Sequence, residues 1–335
     1  MTHPADTSPA DISKVELDRR ALLTGGAALG AAAALAAPAG PAAAAAPMGG
    51  PSVAHVRRAR IGAFEVLAVN DGLAVRDDPH GIFGTDQAPE TVADLLDQSF
   101  LPSDKLAIPF TPTAVNTGSE VILFDAGGNA GAQPTMGNMA TRLAAAGIAP
   151  EDVDVVVITH MHPDHIGGLM TSGAPTYPNA RYVIGTAEYE FWKDKAEGPL
   201  ARVGGLVASN VTPLIEKATF IAPGESVVSG IEAVDASGHT PGQIVYHLES
   251  EGDRLMITAD TANHYVLSLE RPDWEVLFDM DKAAAAARRK EIFGMIAADR
   301  IPFIGYHMPS PALGFVEPLS SGGFRYVPAS YQFDV

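Results

Sequence analysis

Thr159-His160-Met161-His162-Pro163-Asp164-His165-Ile166-Gly167-Gly168 follows directly on the apolar run Val153–Ile158, VDVVVI. That run is rich in β-branched residues, the pattern of a strand buried on both faces. His160 and His162 are two apart, so in an extended segment they project to the same side. Pro163 then forces a bend, and Asp164 and His165 come just beyond it. Four ligand-type side chains within six residues at a strand end can face one small volume. Neutral imidazole and carboxylate suit borderline divalent metals such as zinc. A polar loop of solvated histidines would not need these residue types, this spacing and a buried strand together.

Further along the chain, three more ligand-type residues sit just past apolar runs. His239 lies in Ser237-Gly238-His239-Thr240-Pro241-Gly242, after a strand predicted at Ile231–Asp235. Asp260 lies in Thr258-Ala259-Asp260-Thr261, after Leu255–Thr258, and His307 follows Phe303–Gly305. Each alone is ordinary surface or structural polarity; their shared placement at strand ends joins them to the first four. Asp125, in Phe124-Asp125-Ala126-Gly127, reads either as a turn aspartate or as the acceptor of an N–H from a ligand imidazole.

Around these residues the text alternates strands and helices. Ile61–Val69 reads as a strand followed by a turn at Asn70-Asp71-Gly72, and residues 76–111 as a long surface excursion with a short helix at Thr91–Gln98. Thr113–Asn116 and Glu120–Phe124 read as a hairpin, and Met136–Ala145 as a helix ended by Gly147. Tyr182–Ile184 reads as a strand leading into a helix at Thr186–Lys193 with Thr186 as its cap. Later strands are expected at Thr219–Ile221, Ile231–Asp235, Gln243–Leu248, Arg254–Thr258 and Phe303–Gly305, with a helix at Lys282–Ala298. No linker splits this region and no period repeats, so one mixed α/β domain with packed sheets is expected.

Composition sets the limits. The 335 residues carry 40 acidic and 22 basic side chains, a net charge of -18, and no cysteine. The acidity argues against a nucleic-acid surface or an anionic membrane as partner. Without cysteine there is no disulfide, thiolate nucleophile, iron–sulfur cluster or Cys-held zinc, so any metal must be held by His and carboxylate. Arg19 and Arg20 precede a weak Ala/Gly-rich apolar stretch broken by Pro38 and Pro41. Residues 1–45 therefore read as a twin-arginine export signal cleaved near Ala45 or Ala46, with no membrane span left after processing and a periplasmic or secreted mature chain. Residues 46–59 read as a flexible linker and 60–335 as a single domain.

The ordered set HxHxDH at 160–165, GHTPG at 238–242, Asp260 and His307 resembles the metallo-β-lactamase superfamily of dinuclear metal hydrolases, across about residues 60–330. The stretches AVNTGSEVILFDAG (114–127), ITHMHPDHIGGLM (158–170) and FRYVPASY (324–331) are similar to the methyl parathion hydrolase branch, close to quorum-quenching lactonases. The resemblance implies a four-layer αββα sandwich with two divalent ions, Zn2+ foremost, at one edge of its sheets. It implies that His160, His162 and His239 hold one ion, that Asp164, His165 and His307 hold the other, and that Asp260 bridges them. Asp164 and Asp260 are then the catalytic carboxylates, beside a metal-bridging hydroxide that attacks a carbonyl or phosphorus centre. The absence of cysteine departs from β-lactamases that use a Cys ligand.

The substrate implied is a small neutral ester, a lactone or an organophosphate triester. Phe191 and Trp192, in the helix after the metal loop, are candidates for an apolar pocket wall. His264 and Tyr265, just past Asp260, are candidate donors to the substrate oxygen. Residues 129–136, NAGAQPTM, stand where a lid is expected. Alternatives are a glyoxalase-II-like thioester hydrolase, a β-lactamase, or a non-catalytic metal-binding protein on the same fold. The first lacks a basic clamp for anionic glutathione, and the last would be expected to have lost a ligand. A homodimer stays open.

Overall fold

The structure is a computed structural model that describes residues 54–132 and 135–334. The predicted export signal and residues 46–53 of the predicted linker lie outside the described residues. Strands β1 (Val56–Ile61) and β2 (Phe64–Val69) pair antiparallel in full register. The single strand expected over Ile61–Val69 is therefore two, and the linker expected to reach residue 59 is already strand at Val56. Gly62 makes the break: it sits at φ +54°, and a Cβ there would lie 2.1 Å from the Ser250 carbonyl oxygen.

The segment expected as a surface excursion has a core of its own. β3 (Gly72–Asp77) pairs with β4 (Lys105–Phe110), and α1 (Pro89–Gln98) lies between them in sequence. Leu106, Ile108 and Phe110 alternate inward along β4 and meet Phe83, Leu95, Leu96, Trp274 and Tyr306. Pro, Asp and Gly in the connections hide this period-2 signal in the text.

β5 (Thr113–Asn116) and β6 (Val121–Phe124) form the expected hairpin. α2 (Met139–Ala145) starts three residues later than expected and ends before Gly147, which takes φ +96°. Then come β7 (Val155–Ile158), the short α3 (Pro163–Ile166), a small hairpin of β8 (Met170–Thr171) and β9 (Ala174–Pro175), and β10 (Arg181–Gly185). α4 (Thr186–Trp192), α5 (Ala201–Asn210) and β11 (Ala218–Ile221) complete the first half. Thr186 does not cap α4; Gly185 stands at that position, and the Thr186 hydroxyl donates to the Ile221 carbonyl at 3.2 Å. α5 escapes sequence reading because Gly204 and Gly205 dilute its helical signal.

The second half runs β12 (Ser226–Val228), β13 (Ile231–Asp235), β14 (Ile244–Ser250), β15 (Asp253–Ile257), α6 (Lys282–Asp299), β16 (Phe303–Ile304), β17 (Leu313–Pro318) and β18 (Phe324–Pro328). Asp281 caps α6, its carboxylate accepting from the Ala284 N–H at 3.0 Å. The last two strands were not expected.

Two seven-stranded sheets result, in the orders β1-β2-β5-β6-β7-β10-β11 and β12-β13-β14-β15-β16-β17-β18. Alternation in β7 shows how they stack. Val155 and Val157 face the second sheet, while Val156 and Ile158 lie under the helices with Leu143, Trp192 and Val207. Phe124 of one sheet meets Tyr246 of the other with ring centroids 5.0 Å apart. On the far side, Phe293 of α6 packs edge-on against Phe303 at 5.2 Å. The layers are helix, sheet, sheet, helix. Among the described residues no helix is long and apolar enough to cross a membrane.

Candidate metal centre

The chain stays extended after β7, with His162 at φ -71° and ψ 156°, and Pro163 then opens α3. His160 and His162 consequently project together, while the first turn of α3 presents Asp164 and His165. The loops after β13, β15 and β16 bring His239, Asp260 and His307 to the same place. Two groups of side chains form there: His160, His162, His239 and Asp260, and Asp164, His165, His307 and Asp260. Asp260 belongs to both.

In the first group, His162 Nδ1 lies 3.1 Å from His160 Nε2 and 2.9 Å from His239 Nε2, and Asp260 Oδ2 is 3.3 Å from His239 Nε2. In the second, Asp260 Oδ1 is 3.2 Å from His165 Nε2 and Oδ2 is 2.9 Å from His307 Nε2. Asp164 Oδ2 is 3.6 Å from both of those imidazole nitrogens.

Three of the outer imidazole nitrogens are spoken for. His165 Nδ1 donates to Asp125 Oδ2 at 2.8 Å, His239 Nδ1 to Asp279 Oδ1 at 2.9 Å, and His307 Nδ1 to the Pro109 carbonyl at 2.8 Å. Those bonds set the tautomers and turn the inner lone pairs toward the cluster. His165 Nε2 and Asp260 Oδ1 are buried without any hydrogen-bond partner. Ligand atoms about 2.0–2.1 Å from a tetrahedral ion stand about 3.3 Å apart, close to the spacings here. The residues therefore fit divalent cations, with one carboxylate common to two sites.

Electrostatics in the cluster follows the carboxylates. Burial and neighbouring imidazoles hold His160 and His162 well below the usual histidine range. Burial works against charge on His239 too, but Asp260 and Asp279 outweigh it and push it up to about 9. Asp125, Asp260 and Asp164 likewise overcome burial and raise His165 well above its ordinary value. Burial would raise Asp260, yet the surrounding imidazoles, His307 and His165 foremost, hold it well below the carboxylate range.

The structure places Asp125 at the back of His165, where it also accepts from the Thr159 N–H at 2.9 Å and hydroxyl at 2.8 Å. Sequence reasoning missed four residues with similar positions. Asp279 backs His239 and pairs with the buried Arg289 at 2.7 Å. Asn263 donates to Asp260 Oδ2 at 3.0 Å. Tyr306 stacks on His165 at 3.9 Å, with its hydroxyl donating to the Asp164 carbonyl at 2.5 Å. Glu188 of α4 reaches both the 159–168 and the 238–242 loops.

A cavity of about 440 Å³ opens over the cluster, touching His162, Asp164, His239, Asp260 and His307. Its apolar walls are Ile108, Phe110, Met136, Val203, Leu206 and Phe278, with Arg76 and Arg202 also at its lining. Phe191 and Trp192 are not in that wall, contrary to expectation. Trp192 is 1% exposed under the first sheet, and its Nε1 donates to Glu188 Oε1 at 2.8 Å. Phe191 packs against the same core. The face of α4 that carries both is turned to the sheet, which a short amphipathic helix cannot declare by itself.

His264 and Tyr265 are also displaced from the expected role. They line a neighbouring cavity of about 310 Å³ that shares Ile108, Asn263 and His307 with the larger one. His264 Nδ1 accepts from the Val266 and Leu267 N–H groups, each at 3.1 Å, and burial pulls its pKa down to about 4. It is a neutral turn-holding imidazole. Of the expected lid, Asn129 and Ala132 border the main cavity, and residues 133–134 lie outside the described residues.

Comparison with known proteins agrees with this architecture. Residues 111–302 match the family model described as the metallo-beta-lactamase superfamily. A curated relative, an N-acyl homoserine lactonase of Bacillus cereus, is 27% identical over 153 residues, which span 45% of this chain and 56% of that relative. The match thus reaches just over half the relative's length. Among solved structures, AidC, a dizinc quorum-quenching lactonase, superposes with TM-score 0.77 at 25% identity, covering 82% of this chain and 98% of AidC. AbOPH, a hydrolase of the beta-lactamase superfamily, gives TM-score 0.77 at 22% identity over 84% of this chain and 99% of AbOPH, a likeness of fold. With the family model covering more than half of its length, this chain belongs to the metallo-β-lactamase superfamily.

Proposed function

We propose that the protein is a metal-dependent hydrolase that opens lactones, N-acyl-homoserine lactones foremost, with two divalent cations held as Zn2+. The observation that carries this reading is Asp260, whose two oxygens serve both ligand groups at the floor of a largely apolar cavity. The B. cereus relative and AidC, both lactonases by name, support the substrate class. His160, His162 and His239 with Asp260 would hold one cation, and Asp164, His165 and His307 with Asp260 the other. Bound there, the cations would supply Lewis acidity toward the scissile carbonyl and a water acidic enough to attack at neutral pH.

The chain's own residues do the rest. Ile108, Phe110, Leu206 and Phe278 offer apolar surface to an acyl chain and exclude water from it. Asn263 holds the Asp260 carboxylate in one orientation. Asp164 is the acidic ligand most open to the cavity, its side chain 19% exposed against 4% for Asp260. Its Oδ2 is placed to hold the proton that the departing ring oxygen must receive.

A substrate panel tests the reading. Acyl-homoserine lactone, δ-lactone, p-nitrophenyl acetate, methyl parathion and nitrocefin should rank with a lactone first, and the β-lactam at least ~100-fold slower, about 2.7 kcal/mol in transition-state stabilisation. Nitrocefin turning over faster than every lactone would overturn the substrate class while leaving the metal site intact.

We also propose export of the folded chain through the twin-arginine route, on the strength of Arg19-Arg20 and the weak apolar stretch after them. Changing both arginines to lysine should strand the precursor in the cytoplasm, since the signal is read as paired guanidinium groups rather than as charge alone. Fractionation showing normal delivery of the double variant would refute it.

A further inference from the structure

Glu188 sits in the first turn of α4 and is 1% exposed. Its two carboxylate oxygens accept four hydrogen bonds from three separate segments. Oε1 takes the Met161 N–H at 2.9 Å and the Trp192 indole N–H at 2.8 Å. Oε2 takes the Thr240 hydroxyl at 2.8 Å and the Gly242 N–H at 3.0 Å. A buried carboxylate is costly unless it is hydrogen-bonded in this way. A purely structural filler at this place would be apolar and would avoid that cost.

The position of the donors gives the carboxylate its meaning. Met161 lies between His160 and His162, and Thr240 and Gly242 follow closely on His239. One side chain thus ties together the two loops that supply all three imidazoles of the first ligand group. The second group is backed by other residues, Asp125 behind His165 and Pro109 behind His307. The approach is close enough to require glycine: a Cβ on Gly242 would lie 2.1 Å from the Glu188 backbone nitrogen.

We propose that Glu188 is a positioning residue that sets the cation affinity of the His160–His162–His239 site and leaves that of the Asp164–His165–His307 site to other contacts. The inference rests on the two-cation reading above. It places the selectivity between two adjacent cations in a residue that touches neither.

The test uses the full chain. Glu188→Gln keeps one acceptor oxygen but turns an NH2 group toward two donors; Glu188→Ala removes the tie altogether; Thr240→Val removes one bond only, as a mild variant that keeps the fold. Each is loaded with Zn2+ or Co2+, dialysed against a graded chelator, and its metal content measured. One ion should leave ~10–100-fold more readily in the Glu188 variants, the usual scale for losing an outer partner of a ligand, with a smaller shift in the same direction for Thr240→Val. The cobalt that stays should show the absorption of a two-imidazole, two-carboxylate site rather than a three-imidazole one. Two ions held as firmly as in the parent, or two ions loosened equally, would overturn the proposal. A parent chain that takes up no cation would instead bring down the metal reading itself, so the two failures are distinguishable.

Discussion

On the proposed two-cation reading, replacing Asp260 by Ala is expected to lower bound metal from two ions per chain to below one and to cut turnover at least ~1,000-fold, about 4 kcal/mol of barrier. The reason is geometric. Asp260 is the sole member common to both ligand groups, 3.3 Å from His239 Nε2 through one oxygen and 3.2 Å from His165 Nε2 through the other. Every other ligand serves one site. Its loss removes a charge from both at once and also frees the Asn263 amide that now donates to it. An imidazole could not replace it, because it would present one lone pair to the cluster instead of two oxygens. Elemental analysis with steady-state kinetics decides the matter. Two retained ions, or undiminished turnover with depleted metal, would remove Asp260 from the centre of the site.

The second large effect concerns stability. Arg289 of α6 is completely buried, and its guanidinium donates to the Thr261 carbonyl at 2.7 Å, the Pro272 carbonyl at 3.0 Å and Asp279 Oδ2 at 2.7 Å. Its neutral replacement by Ala would leave Asp279 buried with His239 as its remaining partner and two carbonyls without donors. Breaking a buried ion pair from one side costs about 3–5 kcal/mol, and the Arg289→Ala chain should lose that much in urea unfolding of metal-stripped protein. Adding Asp279→Asn removes the stranded charge, so the double variant should lose less than the sum of the two single changes. A single-variant loss below about 1 kcal/mol would mean that the pair is not desolvated as described.

Much of this molecule is written locally, and the parts that are not share a cause. The loop at 159–168 declares itself because ligand-type residues, their spacing and a β-branched strand coincide within a few positions. β5, β6, β7 and α6 are legible for the same reason, each carrying its own periodicity. Glu188, Asp279 and Arg289 are not. A single carboxylate among 40 acidic residues carries no mark of burial; packing of the sheets decides which one loses water. Trp192 was misread because the face a short helix presents is chosen by β10 and its neighbours. The 76–111 segment was misread because its apolar residues are spread between turns and meet only when β3 and β4 pair and Trp274 and Tyr306 arrive from far along the chain. β17 is hard to read because Leu313 and Gly314 are both buried and break the alternation, whereas β18 does alternate, Phe324 and Tyr326 in and Arg325 and Val327 out, after the Gly322-Gly323 turn.

The seven clustered residues come from both halves of the sandwich. Four stand after β7 in the first sheet, and three after strands of the second. Cations seated between them, as proposed, would act as rivets through the seam between the sheets. The free energy of seating them then includes the free energy of holding the seam at its present width. A substitution at the Phe124–Tyr246 contact, which touches no ligand, would thus be felt as a weaker grip on metal, and chelation in turn as a loosened seam. Affinity in such a molecule is partly a property of its core.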